Sequence, residues 1–529
     1  MLPRTCDLMF RSIGLSLWQR SRFSCTPIND ALISNSENIF RFIHTTCQST
    51  DNAVKERCSV NSLDNMLDMC EQILSTKDKK IEEYAFHNAV KTFCTRYSTL
   101  LDTEQKLDLF QGLCARFSVT GEKLESMERD IAEFMLFRQE EGWRDTSNPR
   151  HRLHMLKCFK KIHSASEPAY SDLLDAITQS PKGVTFLVKL SGDLIECREM
   201  IHQRNPSKEL RAELKALSET IRQKLVVLFR NSSLLRLERV SWDTSPASMM
   251  EQLGTEEKVH KLRNWAALKN RLASNKRVYV WTHPSLPGRP LVALYTSLLH
   301  EIPTRMKDVL SERRTIAEPT VAAFYSISNL EPGLSGVELG QNLIKEVVKD
   351  LVNAFPSVKT FVTLSPLPHF SGWLKTHLQS GTNKPKDMTS IFKDGEMVAV
   401  KSILNIESNT LDEIRLLKMA LDRLCEQSNP IQEELYPSLE GPLKRLAARY
   451  LIMEKHKGKA FDPVAHFHVQ NGAEIYDIHF ESDTTRAGMA RSFGIMVNYL
   501  YSLEDIENNR RNYIADRNIK INEKLLHLL

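Results

Sequence analysis

The stretch from Thr320 to Phe370, TVAAFYSISNLEPGLSGVELGQNLIKEVVKDLVNAFPSVKTFVTLSPLPHF, constrains the fold more than any other part of this chain. Val321–Ser328 is an apolar, β-prone run and reads as a strand. Asn329–Ser335 carries Pro332 and Gly333 and reads as a loop. Leu339, Leu343, Ile344, Val347, Val348 and Leu351 then follow the helical period, and Val358–Leu364 is β-prone again. Strand, glycine-led helix and strand make a β-α-β unit. A helix N-terminus presents free N–H groups and the positive end of a dipole. Gly336 and Gly340 would let an anion such as a phosphate approach those groups. The same glycines would equally serve close strand–helix packing, and both readings stay open. No Gly-Lys-Ser/Thr follows, and G-x-G-x-x-G is absent, so neither a Walker A loop nor a dinucleotide fingerprint is present.

At 529 residues the chain has room for at least two domains. A hydrophobic content of 41%, a charged content of 26% and a net charge of +5 are ordinary for a globular protein and give no case for nucleic-acid binding. No apolar run is long enough to cross a bilayer. The ten cysteines include no C-x-x-C, and only Cys425 lies beyond Cys197, which argues against a cysteine zinc site or a late cysteine nucleophile.

Three regions follow from the pattern. Residues 1–50 carry Arg4, Arg11, Arg20 and Arg22 among apolar and hydroxyl residues, with Asp7 the lone acid before Asp30. That is the composition of a mitochondrial transit peptide, or of a disordered N-terminus. The chain ends in His527, Leu528 and Leu529, without the peroxisomal S-K-L. Residues 62–230 read as successive helices with apolar stripes, among them Leu107, Phe110, Leu113 and Cys114 behind a cap at Asp102 or Thr103. Ile131, Phe134, Met135 and Phe137 are expected to continue the core of this all-α helical bundle. His151, His154 and His163 offer no clear second pair of ligands, so no metal site is expected. Residues 231–529 alternate strands with helices: a strand at Leu235–Trp242, a helix at Val259–Leu272 and a hairpin from Arg277–His283 to Pro290–Thr296. Helices are expected at Phe370–Leu378, Leu411–Leu424 and Leu435–Glu454, and a basic surface loop around Gly381, Lys384, Pro385 and Lys386.

Two side chains stand out chemically. Ser365 ends a strand before a proline that cannot continue a ladder, where α/β folds often hold ligands. It could equally satisfy its own turn, and no G-x-S-x-G elbow surrounds it. His468 lies in HFHVQNG; if that segment is a strand, His466 shares its face. A partly buried structural histidine is the competing reading.

The blocks LERVSW (237–242), AAFYSIS (322–328), GVELG (336–340), LSPLPHF (364–370), EKHKGKAFDPVAHFHVQNGA (454–473) and GIMVNY (494–499) resemble, in order, the malonyl-CoA decarboxylases. GVTFLVKLSGDL (183–194) extends the resemblance more weakly into the N-terminal half. The resemblance implies an N-terminal helical oligomerisation domain followed by a GNAT-like α/β catalytic domain. It implies binding of malonyl-CoA by Ser335, Gly336, Val337, Glu338, Leu339, Gly340 and Gln341 together with Ser365 and His468. Ser365 and His468 match the catalytic pair, with Glu338, Asn498 and Tyr501 in support. His466 departs from an asparagine of relatives and would alter the tuning of its neighbour.

The implied reaction converts malonyl-CoA to acetyl-CoA and CO2 through a thioester enolate, in the turnover of malonyl-CoA for fatty acid metabolism. The thioester is its own electron sink, so no cofactor is expected. His468, titrating near neutrality, would supply the proton. A homo-oligomer, a tetramer or dimer of dimers, in the mitochondrial matrix is implied, with a cytosolic form where translation begins further in. Cysteines that link subunits in some relatives fall at Ala247 and Pro284 here, so such disulfides are not expected. Two other readings stay open: a GNAT-type acyltransferase using an amine acceptor, and a non-catalytic CoA-binding interaction protein.

Overall fold

The computed structural model describes residues 63–529 apart from 76–82, 100–101, 120, 140–144, 146, 205, 230–233, 258, 263, 312–315, 380–390, 394, 408–410 and 426–431. The Arg-rich segment 1–50, expected to address the protein, and the expected basic loop around Gly381–Lys386 lie outside these residues. No described helix is long and apolar enough to cross a membrane.

The architecture is α + α/β. A helix over 63–75 is followed in the chain by helices Glu83–Tyr97, Thr103–Arg116, Gly121–Phe137, Pro149–Ser166, Ala169–Gln179, Gly183–Gln203 and Lys208–Phe229. Asp102 is the cap of the Thr103–Arg116 helix, accepting the N–H of Gln105 at 2.7 Å. Phe93, Phe110, Phe186, Leu190, Leu214 and Leu225 fill the space between helices. The expected stripe on Gly121–Phe137 is only partly core. Phe137 is buried, whereas Ile131 and Met135 are 41% and 50% exposed. That helix forms a hairpin with Pro149–Ser166, and two helices side by side bury only one flank of each. Leu136, Leu156 and Phe159 are exposed on the same pair.

The sheet that follows runs β1 (Arg236–Val240), β2 (Lys276–Thr282), β3 (Val292–Leu299), β4 (Val321–Asn329), β5 (Thr360–Thr363), β10 (Met496–Leu500) and β6 (Ser365–Pro366), with β9 (Glu474–His479) also on β10, while β7 (Lys455–His456) and β8 (Lys459–Ala460) pair as a separate ribbon. β1 to β4 are antiparallel, and β4 and β5 are parallel, joined through the Gly340–Ala354 helix. Leu339, Leu343, Ile344, Val347, Val348 and Leu351 are all buried, so the helical period fixes which face meets the sheet.

Three segments depart from expectation. Helix runs only over Trp265–Arg271, not from Val259. The Glu257 carboxylate takes the N–H groups of Val259 (2.8 Å) and His260 (2.9 Å), which holds that segment out of helix, and Asn264 caps the shorter helix. Within 380–410 a helix spans Glu396–Ile403, starting after Gly395 at φ +86°. The Leu435–Glu454 run is two helices, Gln432–Ser438 and Glu440–Ile452.

Candidate active site

A cavity opens where β5 leaves β4. Leu364 N–H donates to Phe324 O at 3.0 Å, the last bond before the chain turns away; Ser365 then pairs with Val497 of β10. The wedge between β4 and β6 has a volume of about 250 Å³. Phe324, Tyr325 and Ile327 form one wall, Ser365 another, and Phe467 and His468 close it. The β3–β4 register shifts at Tyr295/Thr296, whose partners are Ser326 and Phe324, so Tyr325 is the extra residue of a bulge. The bulge lets neighbouring Phe324 and Tyr325 both reach the cavity, which strict alternation would forbid.

His468 arrives on a helix, Pro463–Gln470, and not on a strand. Asp462 caps that helix by accepting from Val464 and Ala465 N–H, each at 2.9 Å, and Tyr450 holds the other carboxylate oxygen at 2.8 Å. Residues two apart on a helix point to nearly opposite sides. His468 faces the cavity, while His466 Nδ1 meets the Tyr513 hydroxyl at 2.8 Å. His466 therefore does not share the face of His468.

The polar line through the cavity floor is continuous. Ser365 Oγ lies 3.1 Å from His468 Nε2 and donates to Thr363 Oγ1 at 2.9 Å. His468 Nδ1 lies 2.8 Å from the Tyr501 hydroxyl, and the ring stacks on Tyr499 at 4.5 Å between centroids. With the serine proton given to Thr363, Ser365 must accept from Nε2–H, and Tyr501 must donate to Nδ1. Burial pulls the His468 ring down from 6.5 to about 3. It pushes the Tyr501 phenol well up. The ring is thus neutral at pH 7, which corrects the expectation of a histidine titrating near neutrality.

Asn498 is buried beneath this line. Its amide donates to Thr363 O at 2.7 Å and Pro303 O at 3.3 Å, and its oxygen meets His479 Nε2, so it ties β10 to the strand end that carries Thr363. Gly340 starts its helix beside the cavity: a Cβ there would lie 3.3 Å from the Phe467 ring and 3.7 Å from Ile327. Close packing at this glycine is therefore real. No side chain caps the helix. Ser335, Gly336 and Glu338 are exposed, Val337 is half-buried and Leu339 is buried, while Gln341 is the second residue of the helix.

Gly336 has φ +80°, and its carbonyl accepts from Arg222 Nη1 at 3.3 Å. A Cβ at Gly333 would sit 1.8 Å from Val188 O, so the helical region presses directly on the loop. Glu338 lies in the field of Arg222 and His466.

Sequence reasoning missed Thr363, Tyr499, Phe467 and Glu257. Thr363 and Ser365, like Tyr499 and Tyr501, are two apart in extended chain, a signal that could have found the first two. Glu257 is buried, with Ser326 at 3.0 Å, Ser328 at 2.9 Å and the backbone of Val259, a cavity residue, on its carboxylate.

Comparison with known proteins adds the lineage. Residues 233–529 match the family model of the malonyl-CoA decarboxylase C-terminal domain, and 121–229 that of the malonyl-CoA decarboxylase N-terminal domain. The chain is 37% identical over 377 residues to the mitochondrial malonyl-CoA decarboxylase of Anser anser anser, covering 70% of this chain and 71% of that one. It is 33% identical over 448 residues to the mitochondrial malonyl-CoA decarboxylase of Mus musculus, covering 83% and 84%. The crystal structure of malonyl-CoA decarboxylase from Agrobacterium vitis superposes with a TM-score of 0.68 at 28% identity, covering 88% of this chain and 99% of that one. Family matches that run through both halves, on top of a fold shared along most of the length, leave one conclusion: the chain belongs to the malonyl-CoA decarboxylase family.

Proposed function

We propose that this chain converts malonyl-CoA to acetyl-CoA and CO2 in the cavity between Ser365 and His468. The observation that carries the proposal is the buried line Thr363–Ser365–His468–Tyr501 on the floor of a cavity that borders an uncapped helix start. The loop from Ser335 to Gln341 receives the CoA phosphates, with the Gly340 helix dipole as the positive group and the Arg222 guanidinium, already paired with Glu219, beside Gly336.

Ser365 holds the malonyl group so that its carboxylate stands out of the plane of the thioester carbonyl, the geometry in which the breaking bond overlaps the carbonyl π system. The C–C bond breaks, its electron pair moves into the thioester, and CO2 leaves. Donors fixed around the thioester oxygen stabilise the enolate. His468 then protonates the enolate carbon. The reaction consumes one proton, and the free ring carries none to spare at pH 7. The substrate carboxylate, entering the same dry cavity, is the opposite charge that brings the imidazole its second proton. Tyr501 holds the ring from the far side, and Asn498 and Glu338 support the two edges of the site.

The division of labour follows the chain: residues 1–50 address the protein, 62–230 assemble it, and 231–529 carry out the chemistry. Relatives named as mitochondrial support a matrix location for malonyl-CoA turnover in fatty acid metabolism. The exposed apolar flank with Leu136, Leu156 and Phe159 supports a homo-oligomer built through the helical region, a tetramer or dimer of dimers.

The test is incubation of the purified chain with malonyl-CoA alone. Equal amounts of CO2 and acetyl-CoA are expected; product formed only when an amine acceptor is added would make it an acyltransferase, and no product despite binding a CoA-binding protein.

A further inference from the structure

The hairpin of helices Gly121–Phe137 and Pro149–Ser166 brings together three groups that the active site does not use. His154 and Cys158 are one turn apart on one helix and share a face. Glu133 faces them from the other helix, and one ligand atom from each of the three lies within 4.8 Å of the others. Cys158 is a buried free thiol. The Nε2 atom of His154 is buried without a hydrogen-bond partner, a state that is costly unless something binds there. Its ring is held against Phe137 at 4.3 Å between centroids. The region already favours a positive charge: Lys161 Nζ sits 3.1 Å from Glu133 Oε2 and 3.5 Å from Asp130 Oδ1.

We propose that Glu133, His154 and Cys158 bind one zinc ion that clamps these two helices together. Imidazole, thiolate and carboxylate are the donor set of zinc, whereas calcium and magnesium take oxygen ligands. Zinc bonds of about 2.0–2.3 Å bring ligand atoms to roughly 3.5 Å of one another, a closure that side-chain rotation supplies. Lys161 is half-exposed on a flexible stem, and an ion pair at the surface gives way readily to a divalent cation. Asp130 or water takes the fourth position. The histidine spacing read from sequence missed this set because the other ligands are a cysteine and a residue of the neighbouring helix. Binding releases the thiol proton. Affinity therefore rises with pH.

The experiment strips the full chain with a chelator, equilibrates it with Zn²⁺, desalts it and measures bound zinc by atomic emission. One equivalent is expected in the wild type, and its loss in His154→Ala and Cys158→Ser. Both variants should still turn over malonyl-CoA, since neither residue is near the cavity, and turnover serves as the check that they fold. If either fails to fold, exposed Glu133→Gln takes its place and should weaken zinc binding about tenfold. Co²⁺ should give a thiolate charge-transfer band that Cys158→Ser removes. Absence of bound zinc in the wild type, or retention of the same equivalent in folded variants, would overturn the proposal.

Discussion

The Tyr501 hydroxyl lies 2.8 Å from His468 Nδ1, and with the ring stacked on Tyr499 this contact leaves Nε2 facing Ser365 and the cavity. A neutral imidazole has one donor and one acceptor, so a phenol donating to Nδ1 leaves the proton on Nε2, toward Ser365. Tyr501→Phe removes that preference without opening space. It should lower kcat roughly tenfold, the equivalent of one hydrogen bond of about 1.4 kcal/mol, and leave KM unchanged. A matched fall in substrate affinity in steady-state kinetics would instead make Tyr501 a packing residue.

The helix that carries His468 hangs on Asp462. Asp462→Ala deletes both cap bonds and strands the Tyr450 hydroxyl in the interior. Stability should fall by about 1–2 kcal/mol, read as a lower urea midpoint, with kcat falling as His468 loses its position. An unchanged midpoint would mean that packing alone holds the helix.

Acid should unfold the protein through its buried histidines. Burial lowers His468 to about 3 and His260 to about 4, against 6.5 in the unfolded chain. Below pH 6.5 the unfolded chain takes up protons that the folded one refuses. This contribution to stability is therefore complete above pH 6.5 and is lost as pH falls toward 3–4. At pH 5 each ring should account for roughly 2 kcal/mol. His468→Asn should remove about 2 kcal/mol of the stability lost between pH 7 and 5 in urea titrations; an unaltered slope would show that the ring is protonated in the fold.

Bulk and charge can be separated at the start of the Gly340 helix. Gly340→Ala meets the Phe467 ring, whereas Gly340→Asp adds a carboxylate at the same place. Calorimetric titration with CoA should show the aspartate weakening affinity at least tenfold more than the alanine. Equal losses would reduce this glycine to a packing role and take the CoA phosphates elsewhere.

Glu257 closes the cavity from the other side by holding Val259. Glu257→Gln keeps the shape but weakens the bonds to Ser326, Ser328 and the backbone. KM for malonyl-CoA should rise several-fold more than kcat falls. A purely structural role would appear as a lower melting temperature with unchanged KM.

Where local pattern decides structure, the sequence is legible. The β4–helix–β5 unit is readable because all six apolar positions named for its helix fall on the period that the sheet buries. Ser365 and His468 are legible as a pair through the family blocks, not through spacing, since 103 residues separate them. HFHVQ alternates apolar and polar residues like a strand, yet Asp462-Pro463 just before it is a cap followed by a first-turn proline. The Glu257 network is invisible to local patterns because its serine partners lie 69 and 71 residues away. The exposed flank at Ile131 and Met135 reads as core because periodicity reports an apolar face but not what covers it.

The proposed chemistry turns on His468 delivering the proton to the enolate that Ser365 has oriented. The most direct measurement is the turnover of malonyl-CoA alone by His468→Asn, compared with wild type and Ser365→Ala. A kcat loss of about 10²–10⁴-fold is expected for His468→Asn, and the double variant should lose less than the product of the single losses. Full activity in His468→Asn, with CO2 and acetyl-CoA released at the wild-type rate, would contradict it.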